Sequence, residues 1–108
     1  MKNSTLVDSA TLPWRPTEFS GVEWKKLRYE PEGGESAVLL RFAPGAQYGA
    51  HLHPEGEQYY VLDGTIEDGE VGYAAGSYVY HPPGSRHRPR SAGGCLLFVT
   101  LPTPIQLL

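Results

Sequence analysis

The residues able to do chemistry are concentrated in the stretch from Gly45 to Gly64, GAQYGAHLHPEGEQYYVLDG. His51 and His53 stand one residue apart, and in an extended strand side chains at i and i+2 leave the same face. Two imidazoles can therefore enter one space. Pro54, Glu55 and Gly56 have the composition of a tight turn, which brings the carboxylate of Glu57 back on the following strand. Two nitrogens and an oxygen converging in this way suit a divalent transition metal. His87, which follows the turn residues Pro82, Pro83 and Gly84, is a fourth candidate ligand. Fe(II), Mn(II), Ni(II), Co(II), Cu(II) and Zn(II) all accept such donors, and four protein ligands leave positions open on a five- or six-coordinate ion.

Around these ligands, Tyr59 shares the parity of Glu57 and is the candidate catalytic hydroxyl of a pocket, beside Glu57 itself. Gln47 shares the parity of the two histidines and is a weaker candidate for orienting them. Tyr60 reads as packing. His81 reads as a strand-end residue on the rim or surface, and Cys95 as a small buried side chain rather than a reactive thiol. Arg86, Arg88 and Arg90 alternate with His87 and point away from it, as a solvated edge.

The elements that must position these residues are short strands. Residues 1–20, with Pro13 and Pro16, form an irregular arm packed outside the barrel through Leu12, Trp14 and Phe19, and residues 21–108 form the barrel domain. A strand is expected from Gly21 to Glu30, ending before a turn over Pro31 to Gly34. The segment SAVLLRF puts Val38, Leu40 and Phe42 on one apolar face with Arg41 opposite, the period of a half-buried strand. QYYVLDG reads as a strand closed by Asp63 and Gly64, and Asp68-Gly69 signals a hairpin. CLLFVTL, residues 95–101, is apolar at both parities; one face meets the interior and the other needs the arm or a partner subunit. No segment sustains a helical period. The chain is expected to be all-β, a small antiparallel β-barrel.

Composition bounds the rest. At 108 residues, the chain is one domain with a modest core. A net charge of -3 leaves no footprint for nucleic acid or an anionic membrane. The single cysteine fits a reducing compartment. Neither a secretory signal nor a transmembrane run is seen, so the expected location is cytoplasmic.

Taken together, Gly45, His51, His53, Glu57 and Gly64, followed by Gly76, Pro82, Gly84 and His87, resemble the two motifs of the cupin family. Ser91 stands where that family usually has Asn, at a position that is not a ligand. The passage from GEQYYVLDG through the PPGS turn to GGC is similar to the branch that holds the C-terminal domain of ChrR-type anti-sigma factors and the acetylacetone-cleaving dioxygenases. The resemblance implies a jelly-roll barrel, one metal bound by His51, His53, Glu57 and His87, and a small-molecule ligand or substrate. Fe(II) is the favoured ion, and pairing into a homodimer is implied as well. It implies two functions. One is an oxidoreductase, a dioxygenase cleaving a carbon–carbon bond in a β-dicarbonyl-like chelator. The other is a metal- or ligand-binding sensor module. The dioxygenases use three histidines, whereas Glu57 is retained here; the anti-sigma factors grip their partner through an N-terminal zinc domain, for which residues 1–20 supply no Cys or His.

Overall fold

The computed structural model describes residues 3–30 and 32–108, so Pro31, the first residue of one expected turn, lies outside the described residues. Apart from a single 3-10 turn at Ser9–Thr11, the regular elements are strands: β1 (Arg15–Pro16), β2 (Val22–Arg28), β3 (Ser36–Phe42), β4 (Ala46–Gln47), β5 (His51–His53), β6 (Glu57–Asp68), β7 (Val71–Ala74), β8 (Tyr78–His81), β9 (Ser85–His87), β10 (Arg90–Ser91), β11 (Cys95–Leu101) and β12 (Gln106–Leu107). All strand pairs are antiparallel. The all-β jelly-roll expectation holds. Among the described residues no helix is long and apolar enough to cross a membrane.

A large curled sheet runs β1-β2-β3-β11-β6-β10-β4, with β7 and β8 also paired to β6, and a small sheet runs β12-β5-β9. The period-two pattern of β3 sends Val38, Leu40 and Phe42 inward, while Arg41 remains outside and pairs with Glu23 at 2.7 Å. Leu97 and Val99 of β11, Val22 of β2, Val61 and Ile66 of β6 and Val79 of β8 complete the apolar core. Burying each such side chain stabilises the fold by about 1.5–3 kcal/mol.

Two local departures from the expected pattern matter for the site. The strand that was expected to close at Asp63-Gly64 continues to Asp68, and only then turns into β7. Midway, the register against β11 skips from Val61↔Leu97 to Asp63↔Leu96, a bulge that exchanges inside and outside. Tyr59 and Val61 face inward before it, and Ile66 faces inward after it. Gly64 follows directly, at φ +74°, where a Cβ would stand 2.2 Å from the Gly94 carbonyl oxygen. Only glycine allows that approach.

The arm packs against β2 and β3. Lys25 donates to the Ser9 carbonyl at 2.7 Å, and the Arg41 guanidinium lies 4.1 Å from the Trp14 ring centroid. Phe19 packs on Tyr48 with the rings tilted by 49° and their centroids 4.5 Å apart. The outer face of β11 is not covered by the arm: Phe98 remains 36% exposed.

Candidate metal centre and its cavity

Two strand registers build the site. In the small sheet His51 of β5 lies directly opposite His87 of β9, with His53 two residues along on the same face. In the large sheet Glu57, the first residue of β6, lies directly opposite His81, the last residue of β8. The turns that join these strands meet on one backbone group, since Gly56 N–H and Gly84 N–H both donate to the His53 carbonyl, at 3.2 and 2.8 Å. Gly56 is at φ +90°, and a Cβ there would lie 2.8 Å from the His81 carbonyl oxygen. A side chain at residue 56 would push the two ligand-bearing turns apart.

The result gathers all four histidines of the chain. His53 Nε2 and His87 Nε2 are 2.8 Å apart, and Glu57 Oε1 lies 3.4 Å from the first and 3.6 Å from the second. Two donors held about 2.1 Å from one ion are roughly 3.0 Å apart at a right angle and about 3.4 Å apart at a tetrahedral one. The observed spacings therefore fit donors around a shared ion. His51, His53 and His87 form one cluster with ligand atoms within 4.8 Å of one another; Glu57, His81 and His87 form a second, overlapping one.

The outer nitrogens are partly tied down. His51 Nδ1 donates to the Gly49 carbonyl at 2.7 Å, and His87 Nδ1 to Asp68 Oδ2 at 3.0 Å. Each bond fixes the tautomer that leaves Nε2 with a free lone pair for a metal. His53 Nδ1 has no such partner, and His81 Nε2, the Tyr59 hydroxyl and the Thr103 hydroxyl are likewise buried without one.

Burial sets the ionisation of the cluster. Burial, reinforced by the neighbouring imidazoles, depresses His53 to about 3. Burial likewise lowers His87 to about 4, against the pull of Asp68, and lowers His51. All three are neutral at pH 7, the form that binds metal. Burial, with Asp68 adding to it, pushes the Glu57 carboxyl up to about 8. Without a cation, this carboxyl keeps its proton at neutral pH; a divalent ion would reverse that. The donors suit a divalent transition metal, which His51, His53 and His87, or Glu57, His81 and His87, could hold.

The ligand cluster opens on a cavity of about 170 Å³ between the two sheets. His51, Glu57, His87 and Tyr59 line one part of it, and Trp24, Val38, Leu40, Phe42, Leu97 and Val99 much of the rest. The Tyr48 ring, edge-on to His51 at 4.8 Å, links that wall to Phe19 of the arm, and burial pushes its phenol up to about 12.

Several expectations need correction. His81 is not a rim residue: its position opposite Glu57 puts it against the His87 ring, centroids 4.5 Å apart. Gln47 does not orient the histidines, because its carbonyl accepts from Arg88 at 3.1 Å on the exposed edge. Asp68, read only as a turn residue, is the carboxylate behind His87, and it faces inward because of the bulge in β6. Cys95 is buried as expected, its thiol pushed up to about 11 chiefly by that burial. Arg86, Arg88 and Arg90 are exposed.

The fold is shared with solved structures of low sequence identity. A candidate acetylacetone dioxygenase from Methylibium petroleiphilum PM1 matches all of this chain and 83% of its own at a TM-score of 0.90 and 19% identity. An acetylacetone dioxygenase from Acinetobacter johnsonii matches all of this chain and 78% of its own, at 0.82 and 17%. The Rhodobacter sphaeroides complex of SigE with the anti-sigma ChrR matches 85% of this chain and 49% of its own, at 0.72 and 24%. No curated protein sequence matches the chain. The decisive match is to a family rather than to an individual relative: residues 2–103 fit the ChrR Cupin-like domain, and the chain belongs to that family.

Proposed function

We propose that this protein is a mononuclear metal-dependent dioxygenase acting on a small chelating substrate of the β-dicarbonyl type, with His51, His53, Glu57 and His87 as metal ligands and Fe(II) as the working ion. The observation that carries the reading is the convergence of the ligand cluster on one wall of an apolar cavity large enough for a small molecule. A bound divalent metal would supply Lewis acidity toward an enolate and, as iron, access to dioxygen chemistry. The protein's own part is positional. Asp68 and the Gly49 carbonyl hold the imidazoles of His87 and His51, respectively, in their binding tautomer. The apolar walls exclude water from the reacting groups. Tyr59, whose hydroxyl is buried without a partner, is placed to donate to a substrate oxygen. Glu57 adds a negative charge at the ion that a three-histidine set lacks, so its replacement by Gln changes the rate of turnover as well as the metal affinity.

The test is oxygen consumption by Fe(II)-loaded protein with small β-dicarbonyls, in wild type and Glu57→Gln. Uptake that tracks cleavage product supports the enzyme. Tight binding of the same chelators without any oxygen uptake identifies the second reading, a non-catalytic metal- or ligand-binding sensor.

We also read the protein as a homodimer. The support is the outer surface of the large sheet, where Phe98, Tyr60 and Tyr78 sit side by side in register across β11, β6 and β8. Contiguous exposed aromatics of this kind mark contact surfaces. Light scattering at micromolar concentration should give twice the chain mass of 11.9 kDa; a mass equal to one chain removes the dimer.

A further inference from the structure

Resting on the metal-centre reading, we infer that His81 is a fifth protein ligand of the ion, in addition to His51, His53, Glu57 and His87. The topology places it there. Each of the two turns that join the small sheet to the large one carries a donor on either side. Residues 54–56 lie between His53 of β5 and Glu57 of β6, and residues 82–84 lie between His81 of β8 and His87 of β9. The strand register then sets His81 directly opposite Glu57. One ligand atom from each of Glu57, His81 and His87 lies within 4.8 Å of the other two, the same bound that His51, His53 and His87 meet.

The surroundings give the side chain no other polar partner. His81 Nε2 is buried and has no hydrogen-bond partner among the described residues. Asp68 Oδ2, at 4.0 Å, is beyond hydrogen-bond reach and already accepts from His87 Nδ1 at 3.0 Å. A buried polar group left unpaired costs about 1–3 kcal/mol, and coordination removes that cost. Nor is His81 placed to meet a substrate, since His51, Glu57, Tyr59 and His87 line the cavity and His81 does not. Its ring packs instead against His87, centroids 4.5 Å apart, and lies within 11° of parallel to the His53 ring. Five protein donors leave a six-coordinate ion one free position, so a two-atom chelator enters only when one donor leaves.

The experiment loads the full chain, carrying isotope-labelled histidine, with Cd(II), a diamagnetic ion that accepts five or six donors. Magnetic coupling between cadmium and a ring nitrogen identifies each bound imidazole directly and needs no turnover. One nitrogen of His81 should couple to cadmium, together with one each from His51, His53 and His87. His81→Phe keeps a ring against His87 but has no donor; it should bind Cd(II) about tenfold or more weakly while the other three couplings remain. A His81 ring that shows no coupling while the other three histidines do overturns the fifth ligand and leaves the metal centre standing. Cadmium that couples to no histidine overturns both. The wild-type spectrum decides the question even if His81→Phe does not fold.

Discussion

The strands β6, β8 and β11 carry two surfaces that differ by one residue of register. Tyr59 faces the cavity and is 4% exposed; Tyr60, its neighbour, faces outward and is 43% exposed. Val79 and Val99 are buried on the inner side, and Tyr78 and Phe98 stand outside at 61% and 36%. The inner surface buries titratable groups among apolar ones, and this displaces their ionisation. On the outer surface, aromatic rings lie in water with their hydroxyls satisfied, as where Tyr78 donates to Gln58 at 2.5 Å. One backbone pattern therefore separates a surface that buries titratable groups from one that exposes aromatic rings.

The largest expected effect tests whether chemistry is confined to the inner surface. A four-ligand site can hold zinc by about 10–16 kcal/mol. Removing two donors with His53→Ala and His87→Ala should therefore lower metal affinity by at least about a thousandfold. Tyr78→Ala, on the outer side of the same sheet, should leave it unchanged. Competition against a chromophoric chelator measures both. Stoichiometric, tight binding by the double variant would remove these residues as ligands.

The next effect is smaller and concerns support rather than coordination. Asp68→Asn keeps the shape but weakens the acceptor on His87 Nδ1. Groups in this position tune metal affinity by about 10–100-fold, and that is the loss expected in the same titration. An unchanged affinity would make Asp68 a hairpin residue only.

Proton release sharpens the electrostatic side of the contrast. In the metal-free protein Glu57 keeps its proton up to about pH 8, while His53 and His87 are neutral above about 3 and 4. A metal needs the carboxylate, so binding at pH 7 should release close to one proton, and that proton comes from Glu57. Affinity should rise about tenfold per pH unit from pH 5 to 8 and level off above it. Calorimetry in buffers of different ionisation enthalpy counts the proton, and Glu57→Gln should abolish its release.

How much of this was legible in the chain depends on the kind of signal. The turns at residues 54–56 and 82–84, the i, i+2 histidines and the alternation of Val38, Leu40 and Phe42 are local, and the strands follow them. His81 and Asp68 are not local. His81 joins Glu57 only through the pairing of β8 with the start of β6. Asp68 reaches the interior only because the bulge beside Leu62 shifts the parity of β6. Alternation carried forward from Glu57 would have placed it outside. A bulge is set by how two strands meet, which neither strand's sequence states alone. The contacts of residues 9–16 with β2 and β3 likewise depend on pairing between distant segments.

The smallest expected effect is the closest comparison, between neighbouring tyrosines. The Tyr59 hydroxyl is buried without a partner, and burial pushes its ionisation upward. An unpaired buried hydroxyl costs about 1–3 kcal/mol of desolvation. In the metal-free protein Tyr59→Phe removes that cost while the ring remains, so stability to urea should rise by about 1 kcal/mol. Tyr60→Phe deletes a hydroxyl already in water and should stay within about 0.5 kcal/mol of wild type. With a chelator bound the order should change for Tyr59 alone: the hydroxyl then has an acceptor, and Tyr59→Phe should weaken chelator binding by about fivefold, the worth of one hydrogen bond. A variant stabilised when empty and weakened when loaded identifies a group held ready for a ligand. If Tyr59→Phe behaves like Tyr60→Phe in both states, the inner hydroxyl has no part in the site, and its ring alone accounts for its place in the wall.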